Sequence, residues 1–299
     1  MKSIKITVIG AGQIGTAVGS LFAKNQVRFW DKNPLKMKKQ LSLESLIPDS
    51  DLIFLCLPSW AIREVLEKIK PLLNKKAFVV SLAKGLEGKH GKNMDVLLAE
   101  YLPRNRFGLL CGPMIAEEIM KKFPTIGVMA TRNRQCFQLV SHALAANFFH
   151  LYYTSDVRGA ANAGTLKNIY AISLGMADCL ELGHNVKGWM ITQIINEMTL
   201  ITKTLGGKVE TVLGLCGLGD LIATGFSTDS LHFQVGHDLI KFGKCSLESE
   251  GLIAIGSFWQ KIKPRYFNLP ILKTLYQIIK QKSDPKITFL KLIENISGK

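Results

Sequence analysis

The run IKITVIGAGQIGTAVGSLFA near the start constrains the fold more than any other stretch of this 299-residue chain. Ile4 to Ile9 is a β-branched, apolar run, and Gly10, Gly12 and Gly15 follow it at once in a GxGxxG spacing. An apolar helix from Ile14 to about Lys24 comes next, then a second short run, VRFW, ending at Asp31. The order is strand, glycine turn, helix, strand, acid. The first glycine permits a tight turn, the second lets a pyrophosphate approach the backbone, and the third lets the helix lie close to the strand. Backbone N–H groups at the helix start then face the phosphates. Asp31 stands where a ribose 2′-hydroxyl is gripped, which favours NAD over NADP because a carboxylate repels a 2′-phosphate. Lys32 beside it moderates that preference and keeps NADP possible.

Further strands are expected at LIFLCLP (Leu52 to Pro58), AFVVSLA (Ala77 to Ala83) and FGLLCGP (Phe107 to Pro113). Between them AIREVLEKIKPLL and MDVLLAEYL carry helical periodicity. Strands alternating with helices predict a mostly parallel sheet wound on both faces. Ligands of such sheets sit at the carboxyl ends of the strands, where Pro58-Ser59, Lys84-Gly85 and Gly112-Pro113 fall. Lys84 therefore points toward the cofactor crevice. Between Asp31 and Asp51 there is little room for a full helix and another strand, so LSLESL must supply what remains and the sheet looks trimmed there.

After Asp156 the pattern changes to long helices with short connections. These are the stretch from Gly159 to Ala177, then VKGWMITQIINEMTLITKTL, SLHFQVGHDLIKFG and two more near the end. The expected class is α/β: a Rossmann-type doubly wound domain over residues 1–155, then an all-α domain over 156–299 that supplies the substrate half of the site. In GAANAGTLKNIYAISLGMA small and apolar residues lie on every face, and Lys167 is the exception. A helix apolar all round is normally buried. A lysine in one must find a partner or hold its proton less firmly. Downstream, GLCGLGDLIAT is a glycine-spaced turn that presents Asp220 as a plausible partner. A buried lysine–carboxylate pair following a nucleotide-binding start points to acid–base chemistry beside a cofactor.

Hydrophobic residues make up 47% of the chain, ample for two cores. The six cysteines, Cys56, Cys111, Cys136, Cys179, Cys216 and Cys245, lie far apart with no CxxC pair. They read as reduced residues of a cytoplasmic protein, and the six histidines show no metal-ligand spacing, so no metal is expected. The basic-then-apolar start has the layout of a signal peptide, but its glycines belong to the nucleotide turn, which argues against export. No apolar run is long enough for a membrane helix. The net charge of +15 is spread along the chain without an aromatic-interleaved cluster, which argues against a nucleic-acid partner. The lysine-rich tail from Lys261 has leucines and isoleucines at helical spacing and reads as a solvated helix face.

Taken together, VIGAGQIGTAV, DLIFLCLPS, VSLAKGLE, LLCGPMIAEEI with FPT, TLKNIYAI, GHN, GLCGLGDLIAT and SEG resemble the soluble, bacterial-type NAD(P)-dependent glycerol-3-phosphate dehydrogenases nearly end to end. The resemblance implies interconversion of dihydroxyacetone phosphate and sn-glycerol 3-phosphate, a source of phospholipid precursor, by a cytoplasmic homodimer. It implies that Lys167 exchanges a proton with the substrate C2 oxygen, that Asp220 holds that lysine, and that Lys84 stabilises charge on the oxygen. Asn168 and Thr224 would orient the substrate. Gly10, Gly12, Gln13, Ile14, Gly15, Asp31, Pro58, Lys84, Ala116 and Glu250 would contact the cofactor.

Three departures stand out. Where the family carries Ser-Arg-Asn for the substrate phosphate, this chain has Ser230-Leu231-His232. Gln193 replaces a second arginine in the helix after GHN, and Met114 replaces the serine after Gly-Pro. His232 is the candidate for part of the missing phosphate contact, particularly when protonated, with Lys187 and Lys203 as other cations. These losses keep two alternatives open: a related dehydrogenase of another small hydroxy compound, and a nucleotide-binding homologue without catalysis.

Overall fold

A computed structural model describes residues 3–36, 41–88, 90–262 and 267–297. The chain forms two compact units, Met1–Ala161 and Asn162–Lys299. Part of the lysine-rich tail lies outside the described residues.

The first unit is built on one seven-stranded sheet. Its strands are β1 (Lys5–Ile9), β2 (Gln26–Trp30), β3 (Leu52–Leu55), β4 (Phe78–Ser81), β5 (Phe107–Cys111), β6 (Thr125–Thr131) and β7 (Phe149–Thr154), in the order β2-β1-β3-β4-β5-β6-β7. The first five run parallel, β6 runs antiparallel to β5, and β7 is parallel to β6. All four residues of β3 are buried, and successive side chains of a strand point to opposite faces. Both faces of the sheet are therefore covered, as the uninterrupted apolar run LIFL requires. The helices are α1 (Gln13–Ser20), α2 (Leu43–Leu46), α3 (Ile62–Ile69), α4 (Met94–Tyr101), α5 (Ala116–Met120) and α6 (Arg134–Ala143). Among the described residues between β2 and β3 are a short 3-10 turn and the single turn of α2, with no further strand.

β1 is the point where the strand order reverses, with β2 on one side and β3 on the other. A crevice opens outside the carboxyl ends of strands at such a switch point. The glycine turn, Pro58, Lys84 and Gly112 all follow strands at that edge.

The second unit is helical: α7 (Val157–Cys179, begun in the first unit), α8 (Gly183–Thr204), α9 (Val209–Leu213), α10 (Asp220–Gly225), α11 (Leu231–Phe242), α12 (Glu250–Ile262), α13 (Pro270–Lys280) and α14 (Pro285–Glu294). Among the described residues three helices follow Ser249, where the pattern suggested two. Asp284 starts the last of them, because its side chain caps α14 on the N–H of Ile287 and Pro285 takes the first helical position.

The small residues of α7 have a packing reason. A Cβ at Gly175 would meet the Phe233 carbonyl oxygen at 2.1 Å, and one at Gly236 would meet that of Ile172 at 2.1 Å. α7 and α11 thus touch backbone to backbone. Among the described residues no helix is long and apolar enough to cross a membrane.

Candidate functional site

In the first unit the glycine turn has the two geometries that its motif demands. Gly10 has φ of +103°, and a Cβ there would sit 2.3 Å from the carbonyl oxygen of Cys56. A Cβ at Gly15 would fall 1.8 Å from the Gly10 oxygen, so the start of α1 lies directly on the turn. Gly12 differs: a Cβ there would meet nothing within 4 Å. Steric pressure inside the protein explains Gly10 and Gly15 but not Gly12. Open space over an uncapped helix start suits the pyrophosphate of a dinucleotide. Gln13 and Ile14 form the first turn of α1, Pro58 precedes the turn into α3, and Ala116 opens α5, which packs on α1.

Asp31 is buried at 6% exposure and holds the turn from behind. Its Oδ2 accepts the Ala11 N–H at 2.8 Å and pairs with Lys36 at 3.1 Å, while Oδ1 accepts the Asn33 N–H at 2.9 Å. Burial pushes its carboxyl up, but these N–H groups and Lys36 together carry it below the ordinary value. Lys32, the cation expected beside Asp31, lies 3.7 Å from Glu64 instead. The sequence reading missed Lys36, whose signal was its place one turn beyond Asp31. Lys84 leaves the end of β4 and donates to the Gly112 carbonyl at 2.9 Å, which fixes its ammonium across the end of β5. Met114 is a core residue, buried with Ile119 and Met129. It takes no part as a polar contact.

In the second unit Lys167, Asp220 and Thr224 meet. The Lys167 Nζ lies 3.0 Å from Asp220 Oδ1 and donates to Thr224 Oγ1 at 2.6 Å, and that hydroxyl donates to Asp220 Oδ1 at 3.2 Å. All three are buried, Lys167 at 5%, Asp220 at 2% and Thr224 at 8% exposure. The glycine-spaced turn forms one π turn, Leu215–Gly219, which runs straight into α10. Asp220 is thereby the first residue of α10, and Thr224 stands one helical turn later on the same face. The hydroxyl is both acceptor and donor, so it fills the remaining edge of the triangle.

Beside Lys167, the buried Asn168 donates to Glu250 Oε2 at 3.5 Å, which brings the first residue of α12 to the site. His232, in the first turn of α11, accepts the Gly251 N–H on Nε2 at 3.4 Å. That bond ties the ring to the first turn of α12. Leu231 is 39% exposed. Lys187 is committed elsewhere, paired with Asp178, whose other oxygen meets His237 Nε2 at 3.0 Å. Lys203 is exposed on α8 with no part in this group.

Comparison with known proteins identifies the family. Profiles described as the N-terminus and the C-terminus of NAD-dependent glycerol-3-phosphate dehydrogenase match residues 32–137 and 156–289. The glycine turn precedes the first match, so its reading rests on its own geometry. A glycerol-3-phosphate dehydrogenase (NAD(P)+) of Acinetobacter baylyi is 31% identical, over 98% of this chain and 90% of that protein. That of Azotobacter vinelandii is 38% identical over 78% and 76%. The crystal structure of the Coxiella burnetii glycerol-3-phosphate dehydrogenase superposes with a TM-score of 0.89 at 26% identity, covering 98% and 99% of the two chains.

Proposed function

The chain belongs to the NAD-dependent glycerol-3-phosphate dehydrogenase family, and on that premise we propose that it interconverts dihydroxyacetone phosphate and sn-glycerol 3-phosphate with Lys167 as its acid–base residue. The buried triangle of Lys167, Asp220 and Thr224 carries this reading. Burying a charged pair is costly and adds little net stability, so its retention favours a chemical role.

Bound NAD(P) supplies or takes up the hydride. In the reducing direction the Lys167 ammonium hands a proton to the substrate C2 oxygen as charge develops there; in the oxidising direction the neutral amine takes it back. Asp220 stabilises the ammonium and Thr224 fixes its direction. Asn168 orients the substrate oxygen with its amide. Lys84 carries positive charge at the carboxyl ends of the strands and stabilises developing negative charge. Gly12 with Gln13 and Ile14 holds the pyrophosphate, and Asp31, Pro58, Ala116 and Glu250 complete the cofactor contacts.

His232 supplies part of the contact to the substrate phosphate. An imidazole in place of a forked, permanently charged guanidinium gives up a contact of about 1.5–3 kcal/mol, roughly ten- to a hundredfold in affinity. A raised KM for the phosphorylated substrate is the expected trace. We extend the proposal, on the resemblance alone, to a cytoplasmic homodimer that supplies glycerol 3-phosphate for phospholipid synthesis.

The test is oxidation of NADH and NADPH by the purified protein with dihydroxyacetone phosphate, beside Lys167→Ala. Turnover abolished in the variant supports the reading. Equal turnover in both proteins sinks the assigned mechanism, and a bound cofactor without turnover of phosphorylated or phosphate-free substrates points to the non-catalytic homologue.

A further inference from the structure

Glu87 closes the stretch VSLAKGLE, and no step assigned so far uses it. It is 2% exposed and stands three residues beyond Lys84, in the loop between β4 and α4. Its backbone closes that loop on itself: the N–H donates to the Lys92 carbonyl and the carbonyl accepts the Gly91 N–H, each at 2.9 Å. The side chain divides. Oε2 accepts the His90 N–H at 2.8 Å, and Oε1 accepts the Nε–H of Arg63, on α3, at 2.8 Å. Arg63 reaches on to α4, where Nη1 donates to the Tyr101 hydroxyl at 3.0 Å and Nη2 to Glu100 at 3.1 Å. Lys92, on the return side of the loop, pairs with Glu100 as well. A Cβ at Gly88 would lie 3.5 Å from the Trp60 side chain, so the loop also rests on the turn between β3 and α3.

We propose that Glu87 is a positioning residue, which holds Lys84 in place by clamping the loop behind it to α3 and α4 through Arg63. This role rests on the charge-stabilising part proposed for Lys84 and deepens it. Connecting loops are the mobile parts of a fold, and a lysine rooted in one carries its charge wherever the loop goes. The Lys84 ammonium meets the Gly112 carbonyl at one end, and Glu87 fixes the backbone from which that side chain springs. A buried acid held by an arginine adds little net stability, so what the pair contributes here is geometry. A misplacement of about 1 Å can cost on the order of a hundredfold in rate. Arginine suits the task, because its planar fork binds the loop and α4 at once from α3.

The experiment is steady-state NADH oxidation with dihydroxyacetone phosphate by Glu87→Ala, Glu87→Gln, Lys84→Ala, and each Glu87 variant combined with Lys84→Ala. Alone, Glu87→Ala should lower kcat about ten- to a hundredfold, with KM for both substrates changed less than about threefold. Glu87→Gln keeps the shape and one acceptor oxygen and should lose about three- to tenfold. In the Lys84→Ala background neither change should lower kcat by more than about twofold further, because no ammonium is left to position. A general loss of structure would cost the same factor in both backgrounds, and that outcome overturns the proposal. So does a Glu87→Ala kcat within about twofold of wild type. If Glu87→Ala does not fold, Glu87→Gln decides by the same two criteria. A Lys84→Ala enzyme as fast as wild type would instead overturn the role of Lys84 beneath it.

Discussion

The Tyr170 hydroxyl donates to Glu197 Oε2 at 2.8 Å, and neither side chain reaches solvent. The same carboxylate accepts the N–H groups of Ile271 at 2.8 Å and Leu272 at 3.0 Å, so a side chain of α8 caps the first turn of α13. Gln193 gives a neutral hydrogen bond where the family resemblance leads one to expect a cation. Burial drives the Glu197 carboxyl up to about 7, against the opposing pull of Ile271, Leu272, Tyr170 and Gln193.

A pH dependence of stability follows. The folded state holds this proton more tightly than the unfolded chain, so stability from this group falls as pH rises from about 4.5 through about 7. The loss by pH 8 is on the order of 3 kcal/mol, taking 1.36 kcal/mol for each unit of displacement. Thermal unfolding of wild type and Glu197→Gln between pH 5 and 8 measures it. The wild-type Tm should fall more steeply, and identical slopes would contradict the assignment.

Lys167→Ala should lower kcat by about a hundred- to ten-thousandfold, the range for loss of a positioned acid–base group. Thr224→Val keeps the ion pair but removes the hydroxyl between its members, and a smaller loss of about ten- to a hundredfold is expected. Steady-state kinetics with both substrates checks the ranking. A Thr224→Val enzyme as slow as Lys167→Ala would mean that the hydroxyl does more than aim the lysine.

The glycines of the nucleotide turn should separate by phenotype. Gly12→Val adds a side chain where no protein atom lies within 4 Å, so the fold should survive while NADH binding is lost. Gly10→Ala and Gly15→Ala force atoms onto the Cys56 and Gly10 carbonyls and should destabilise the first unit by several kcal/mol. Circular dichroism melts beside NADH titration distinguish the two outcomes. Loss of folding in Gly12→Val would remove the argument that its opening serves a ligand.

Gly236→Leu should destabilise the second unit by more than about 3 kcal/mol, because its side chain would meet the Ile172 oxygen and the Met176 nitrogen of α7. Urea unfolding followed by a probe in the second unit reads this directly. A shift below 1 kcal/mol would show that α7 and α11 separate easily.

Much of this was legible because it is local. The turn after β1, the acid after β2 and the apolar run of β3 each carry their geometry within a few residues. Lys167 was legible for a different reason: a charge in an all-apolar helix demands a partner, and the glycine spacing before Asp220 offered one. β6 and β7 escaped notice although strands and helices still alternate there, because α5 is only five residues long and the two strands join as a reversed pair at the sheet edge. Lys36 and the Gly251 bond to His232 escaped because they depend on where two loops come to rest, which no spacing rule encodes. Thr224 as the bridge of the ion pair lay between, since its position one turn from Asp220 allowed the contact without requiring it.

The backbone contact of α7 with α11 has an entropic meaning. A free lysine side chain samples many rotamers, and fixing one costs up to about 2 kcal/mol. In the second unit that ordering is accomplished once, when α7 is clamped at Gly175 and Gly236 and Lys167 is tied to Asp220 and Thr224. Each turnover then begins with the lysine already aimed, and the disorder is left behind in the unfolded chain.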